Sequence, residues 1–290
     1  MVAARNQSYG EQRQSSLGLE WEYPLSEKQI SSLHERGWTL LPGFISKTTA
    51  EAIRAALAGL KERRPLKPTD SAYVKDPNPK SNRKQESVAQ QSPFFRQIAT
   101  SRRIGGTAAR LMRLPEVLFT QDMSFFKPPQ GGAPTYFHQD LPYFPFDRKG
   151  SISIWIALVD MSESMGPLQY LDNSHYEGPL GRTGEFDVRK LYPHLYNNKI
   201  GGGNALQSGD AQVHLDLTIH GADSNVSDTT REAYTLRYIR PDTIYTGTGH
   251  PHYDNFDKLK IGRTFGESGE FDRVGPEGPI DLVTVPEHTT

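Results

Sequence analysis

The segment YFHQDLPYFPF, residues 136–146, sets His138 and Asp140 two positions apart and surrounds them with aromatics and prolines. On an extended strand, residues i and i+2 point the same way and lie ~6.5–7 Å apart, so an imidazole and a carboxylate at this spacing can face one metal ion. One His-x-Asp pair is weak evidence, because a hydrogen-bonded His–Asp pair in a core or on a surface is the commoner arrangement. The pattern occurs at His138–Asp140, His214–Asp216 and His252–Asp254. A non-haem iron(II) site of two histidines and one carboxylate leaves coordination positions open, and its third ligand must come from elsewhere in the chain.

For the first pair, His220 is the candidate for that ligand. It closes AQVHLDLTIH, which reads as one strand with Gln212, His214, Asp216, Thr218 and His220 on a polar face and Val213, Leu215, Leu217 and Ile219 on the other. His214 and Asp216 share that face and stay rival ligands, although one extended strand would spread the group over ~20 Å, beyond the reach of one ion. After His252 the next histidine is His288, in the tail. Eleven residues beyond His220, Arg231 opens REAYTLRYIR. If the hairpin folds back, its guanidinium comes beside the metal face, suited to grip a carboxylate through two parallel hydrogen bonds. 2-Oxoglutarate offers such a carboxylate at one end and an iron-chelating 2-oxo acid at the other.

These side chains need strands to position them. From Val117 onward the chain runs as short strands and turns: VLFTQDMSFFK, TYFHQD, SISIWIALVDM, PLQYL, AQVHLDLTIH and AYTLRYIR. Before that it is mostly helical. LSEKQISSLHERGW carries a Ser26 N-cap and a terminal Gly37, TTAEAIRAALAGLKER follows, and PFFRQIATSRRIGGTAARLM reads as a helix broken at its glycine pair. Helices followed by runs of strands predict a β-sandwich or barrel with flanking helices. Residues 1–22 read as a flexible arm, and residues 23–290 as one domain: a helical part over 23–115, a β core over 116–245 and an irregular tail. Residues 64–93 read as a long loop or lid, and the basic stretch from Lys61 to Lys84 as a candidate grip for an anionic handle such as coenzyme A.

Composition narrows the chemistry. With no cysteine there is no thiolate nucleophile, Cys-ligated zinc or iron–sulfur cluster, so any metal is held by nitrogen and oxygen. Lys+Arg of 33 against Asp+Glu of 34 gives a net charge of -1, which points away from nucleic acid and anionic membranes and toward a small-molecule partner. The polar N-terminus and the lack of a long apolar run predict a soluble, cytoplasmic protein.

Taken together, FTQDMSFFKPP, YFHQDLPYFPF, MGPLQYLDNSHYEG, SGD and HGADSN with Arg231 resemble the phytanoyl-CoA dioxygenase family of Fe(II)/2-oxoglutarate oxygenases, from about residue 25 to 240. The resemblance implies a double-stranded β-helix (jelly-roll, cupin-like) core, with iron on His138, Asp140 and His220 and the far carboxylate of 2-oxoglutarate on Arg231. It also assigns Gln121, Trp155 and Ser174 to the cosubstrate pocket. Relatives commonly read Pro-Gly-Ser-His where this chain has Asp172-Asn173-Ser174-His175. The reaction implied uses O2 and defaults to hydroxylation, with secondary-metabolite tailoring and acyl-CoA hydroxylation as competing roles. A cupin-type isomerase or ligand-binding protein, needing no 2-oxoglutarate, is the rival from another class. Tyr136 and Phe144 are expected to wall the substrate pocket, Tyr136 by strand parity with His138.

Overall fold

The computed structural model of the chain describes residues 17–60, 63–67, 70, 82–183 and 186–280. Helix α1 (Glu27–Arg36) starts at Ser26, whose side chain exchanges capping hydrogen bonds with Gln29, and stops at Gly37. Gly37 has φ 90° and packs so closely on Thr218 and His175 that a Cβ there would collide with both. Strand β1 (Trp38–Leu41) leads to helix α2 (Lys47–Gly59). Within the predicted long loop lie two short strands, β2 (Arg64–Pro65) and β3 (Arg83–Glu86), and the one-turn helix α3 (Val88–Gln91). The predicted broken helix is α4 (Pro93–Thr100), a π-helical turn over Arg102–Gly106 and α5 (Thr107–Met112).

The long strand β4 (Val117–Lys127) is followed by β5 (Thr135–His138), β6 (Ser151–Ala157), β7 (Leu168–Leu171), β8 (Ile200–Gly202), β9 (Ala211–Leu215), β10 (His220–Ala222), β11 (Arg231–Ile239), β12 (Asp272–Gly275) and β13 (Gly278–Pro279). They form two antiparallel sheets. The larger runs β1-β9-β6-β11-β4-β12-β13, with β3 attached along β4 and β2 along β3; the smaller runs β5-β10-β7-β8. Alternation assigns the faces. In β6, Ile152, Ile154 and Ile156 join the core beneath the helices, whereas Ser153, Trp155 and Ala157 turn toward the smaller sheet. Strand β11 does the same, with Tyr234, Leu236 and Tyr238 in the helix-side core and Arg231, Thr235 and Arg237 on the inner face. This curled pair of sheets is the expected double-stranded β-helix.

Three expectations change. Residues 1–16 of the predicted arm lie outside the described residues, but Leu19 is buried in the helix-side core and its carbonyl accepts a hydrogen bond from the Arg103 amide. Beyond residue 245 the tail is not all irregular, because β12 pairs with the start of β4. AQVHLDLTIH is not one strand: β9 pairs in the larger sheet and β10 in the smaller, and the chain crosses between them over residues 216–219.

Candidate active site

His138 and His220 end up directly opposite one another, on β5 and β10 of the smaller sheet, with ring centroids 4.4 Å apart. Each imidazole anchors its Nδ1 on a backbone carbonyl two residues earlier, Tyr136 at 2.7 Å and Thr218 at 2.9 Å, and so aims Nε2 into the space between the sheets. Asp140 lies beyond the end of β5, in the turn before a short 3-10 segment, with its backbone amide on the Asp216 carbonyl at 2.9 Å. The i, i+2 pairing is therefore made across a strand end, not along a strand. Its Oδ1 is 3.8 Å from His138 Nε2 and 3.9 Å from His220 Nε2, and one ligand atom from each residue lies within 4.8 Å of the others.

The other oxygen is spoken for. Asp140 Oδ2 receives Arg237 Nη2 at 2.8 Å and Ser153 Oγ at 3.2 Å, and lies 3.3 Å from His214 Nε2. Burial works against the Asp140 charge, but the Arg237 guanidinium and the His214 ring override it and hold the carboxyl well below the usual carboxylate range. Burial, reinforced by a neighbouring imidazole, pushes His138 and His220 down to about 4. At neutral pH the triad thus offers two neutral nitrogens and one carboxylate oxygen. That is the donor set of an iron(II) site in a cysteine-free chain.

The crossover explains the rival pair. Because the chain turns after β9, His214 is not strung out along a strand but packs its ring 4.1 Å from that of His220. It supports Asp140, while Asp216 fastens the crossover to β6 by accepting from the Gly150 amide and from the Ser151 amide and hydroxyl. His252 bonds Ser87 and the Thr120 carbonyl, a structural role.

Arg231 opens β11 as expected, pairs with Lys127 of β4 in register, and stacks 5.4 Å over Trp155. Both cations are buried and line the same cavity as the triad. Neither forms an ion pair with a carboxylate among the described residues. Arg231 donates Nη1 to the Gly166 carbonyl at 2.6 Å with Nε unpartnered, and Lys127 donates to the Asp223 carbonyl at 2.7 Å. Gly166 has φ 66° and abuts Asp223, so no side chain fits at this turn. Burial lowers Arg231 to about 10; burial and the nearby guanidinium lower Lys127 well below the usual amine value. Two desolvated cations and an unpartnered N–H in the same cavity as the triad fit a dicarboxylate cosubstrate with one end on the metal.

Three sequence expectations, Tyr136, Phe144 and Ser174, are placed differently. A β-bulge in the β5–β10 pairing sets Thr135 opposite Ala222, so Thr135 rather than Tyr136 shares the cavity face with His138; Tyr136 contributes only its carbonyl. Phe144 packs with Phe146 and Tyr253 behind the cavity, its ring 3.9 Å from the Arg237 guanidinium. Ser174 is spent on the Leu171 carbonyl (2.7 Å) and the Ile219 amide (2.8 Å), which steadies the residue before His220 but leaves no hydroxyl for a cosubstrate. Gln121 is buried opposite Arg237 with both amide atoms unpartnered. Lys127 was missed as a site residue, His214 was weighed only as a rival ligand and not as a support for Asp140, and Arg237 was missed. The signal for the first and last was a basic residue at an inward position of an otherwise apolar strand.

A double-stranded β-helix with a buried N,N,O donor triad between its sheets is the arrangement of a non-haem metal centre. The model described as phytanoyl-CoA dioxygenase (PhyH) matches residues 33–233, and the chain belongs to that family. With the family comes the enzyme class, an iron(II)- and 2-oxoglutarate-dependent dioxygenase that uses O2. The chain is 25% identical to the peroxisomal phytanoyl-CoA dioxygenase of Bos taurus over 81% of its own length and 74% of the relative's. It is 28% identical to a probable alpha-ketoglutarate-dependent hypophosphite dioxygenase of Stutzerimonas stutzeri, over 51% and 53%. Among solved structures, the carbocyclase SnoK from nogalamycin biosynthesis superposes with a TM-score of 0.73 at 24% identity, covering 87% of this chain and 97% of that one.

Proposed function

We propose that His138, Asp140 and His220 hold iron(II), that Arg231 with Lys127 beside it takes the far carboxylate of 2-oxoglutarate, and that the chain hydroxylates a small organic substrate. Iron bound there supplies oxygen activation coupled to conversion of 2-oxoglutarate to succinate and CO2. The protein's share is positional. The carbonyls of Tyr136 and Thr218 orient the two imidazoles, Arg237, Ser153 and His214 hold Asp140 by one oxygen so that the other faces the triad, and Trp155 backs the Arg231 guanidinium. Met123, Phe125 and Leu168 add apolar wall to the same cavity.

The observation that carries this reading is the presence, in one cavity, of a complete donor triad and a buried arginine with no carboxylate partner among the described residues. Tailoring of a secondary metabolite is favoured over an acyl-CoA handle. Lys84, at the end of the basic stretch, is neutralised by Asp70 at 2.5 Å and by Glu86, and much of that stretch lies outside the described residues. The neighbour SnoK is a carbocyclase from nogalamycin biosynthesis. Anaerobic titration of the iron(II)-loaded protein with 2-oxoglutarate tests the cofactor reading through the weak visible charge-transfer band of the chelate, and absence of the band overturns it. Succinate release measured with free and CoA-linked candidates then separates the two roles.

A further inference from the structure

Triad and cosubstrate grip leave a second group of buried polar atoms unaccounted for. Arg237 is buried on the inner face of β11 and spends only Nη2, on Asp140. Its Nε and Nη1 have no partner among the described residues, although Phe144 covers one face of the guanidinium. Directly across the sheet, Gln121 of β4 is equally buried with both amide atoms free, and the Thr235 hydroxyl, next on the same face of β11, is free as well. Leaving so many polar atoms unpaired in one corner is costly unless a ligand completes them.

The corner is distinct from the cosubstrate grip. Arg231 and Arg237 are six residues apart on one strand, ~20 Å between backbones, and lie toward opposite ends of the cavity wall. 2-Oxoglutarate has two ends, and Arg231 and the metal account for both. What remains is two guanidinium N–H donors, an amide and a hydroxyl, which together favour an acceptor-rich ligand. Charge narrows the choice further. The cavity wall carries Arg83, Lys127, Arg231 and Arg237 with Asp140 as the carboxylate, and once Asp140 binds the metal its charge no longer serves Arg237 alone. With one carboxylate of the cosubstrate on the metal and the other on Arg231 and Lys127, Arg237 is left able to hold one more anion.

Resting on the iron and 2-oxoglutarate reading, we infer that Arg237 and Gln121 form the specificity site for the primary substrate, and that this substrate carries a carboxylate. The apolar body then lies along Met123 and Phe125. Because Arg237 also touches the ligand Asp140, an anchored carboxylate presents its nearest carbons to the triad, and oxidation falls close to the acid group.

The test uses the full chain loaded anaerobically with iron(II) and 2-oxoglutarate, with propionate and its neutral isostere propionamide as probes small enough to enter the corner. Propionate should perturb the charge-transfer band at about ten-fold lower concentration than propionamide, as expected for a charge-assisted hydrogen bond over a neutral one. Gln121→Leu, which removes no contact to Asp140, should keep the band and raise the propionate midpoint several-fold; Gln121→Glu should abolish the response. Arg237→Lys, which keeps a cation for Asp140, should narrow the preference for propionate. Equal midpoints for the two probes, no response to either, or a propionate midpoint that climbs with 2-oxoglutarate concentration would overturn the assignment. A missing band at the outset refutes the cofactor reading itself, a separate result.

Discussion

Asp140 carries two jobs on two oxygens, and the division makes a prediction about a residue outside the triad. Oδ2 is held by Arg237, Ser153 and His214, which leaves Oδ1 to face His138 and His220. Removing a partner that orients a metal ligand costs roughly ten- to a hundred-fold in metal affinity. His214→Ala should therefore weaken iron(II) or cobalt(II) binding within that range while the fold persists, measured by anaerobic metal titration and circular dichroism. An unchanged metal affinity would leave His214 as mere packing. The sequence pointed to the triad through a His-x-Asp pair with a later histidine and through the family resemblance, with His214 and Asp216 left as rivals. It hid the supporting role of His214, since reading residues 211–220 as one strand placed that ring far from His220, when the crossover sets the rings 4.1 Å apart.

At the scale of elements, the close approach of β5 and β10 is set by a glycine. A Cβ at Gly221 would lie 2.8 Å from the Thr135 carbonyl and 3.1 Å from the Phe137 ring, so Gly221→Ala has to part the two strands that carry His138 and His220. Overpacking of this kind costs roughly 1–3 kcal/mol. The variant should melt at lower temperature and also bind metal more weakly, whereas loss of stability with full metal affinity would show that Gly221 does not set the histidine spacing. On the opposite face of β4, Asp122 ties the sheet to the helical layer by accepting from the Ala89 amide and the Tyr234 hydroxyl. Burial raises its carboxyl to about 6 despite those bonds. A raised acid favours the protonated folded state, so this contribution to stability is full below pH ~4 and is lost as pH rises through ~6. Asp122→Asn removes the titration. Its unfolding free energy in urea should therefore gain on the parent between pH 4 and 7, by on the order of 3 kcal/mol at most, and a difference flat in pH would contradict the assignment. The strands themselves were legible from alternation, β4 and β11 most fully. The β5–β10 bulge was not, because one inserted residue reverses parity without changing composition, which is why Tyr136 was expected where Thr135 stands.

Over the whole molecule, the cavity is a place where stability has been given up. Arg231 and Lys127 are withdrawn from water without a carboxylate partner among the described residues, and the fall of Arg231 to about 10 corresponds to a desolvation cost on the order of 3 kcal/mol. Sites poised for a ligand bear such costs until the ligand arrives. Arg231→Met keeps the apolar stem against Trp155 and discards the charge, so the variant without ligands should be as stable as the parent or more so. Loading behaves oppositely. A cosubstrate at a hundred times its dissociation constant adds about 2.7 kcal/mol to the folded state, and several degrees to the melting temperature of a chain this size. The parent should show that rise when 2-oxoglutarate is added with iron(II), and the variant should show only the rise due to the metal. Thermal denaturation of both proteins, bare, metal-loaded and fully loaded, measures all the terms at once. If Arg231→Met destabilises the bare protein and still gains stability from 2-oxoglutarate, the guanidinium is a structural strut in the sheet and the cosubstrate's far carboxylate is held elsewhere.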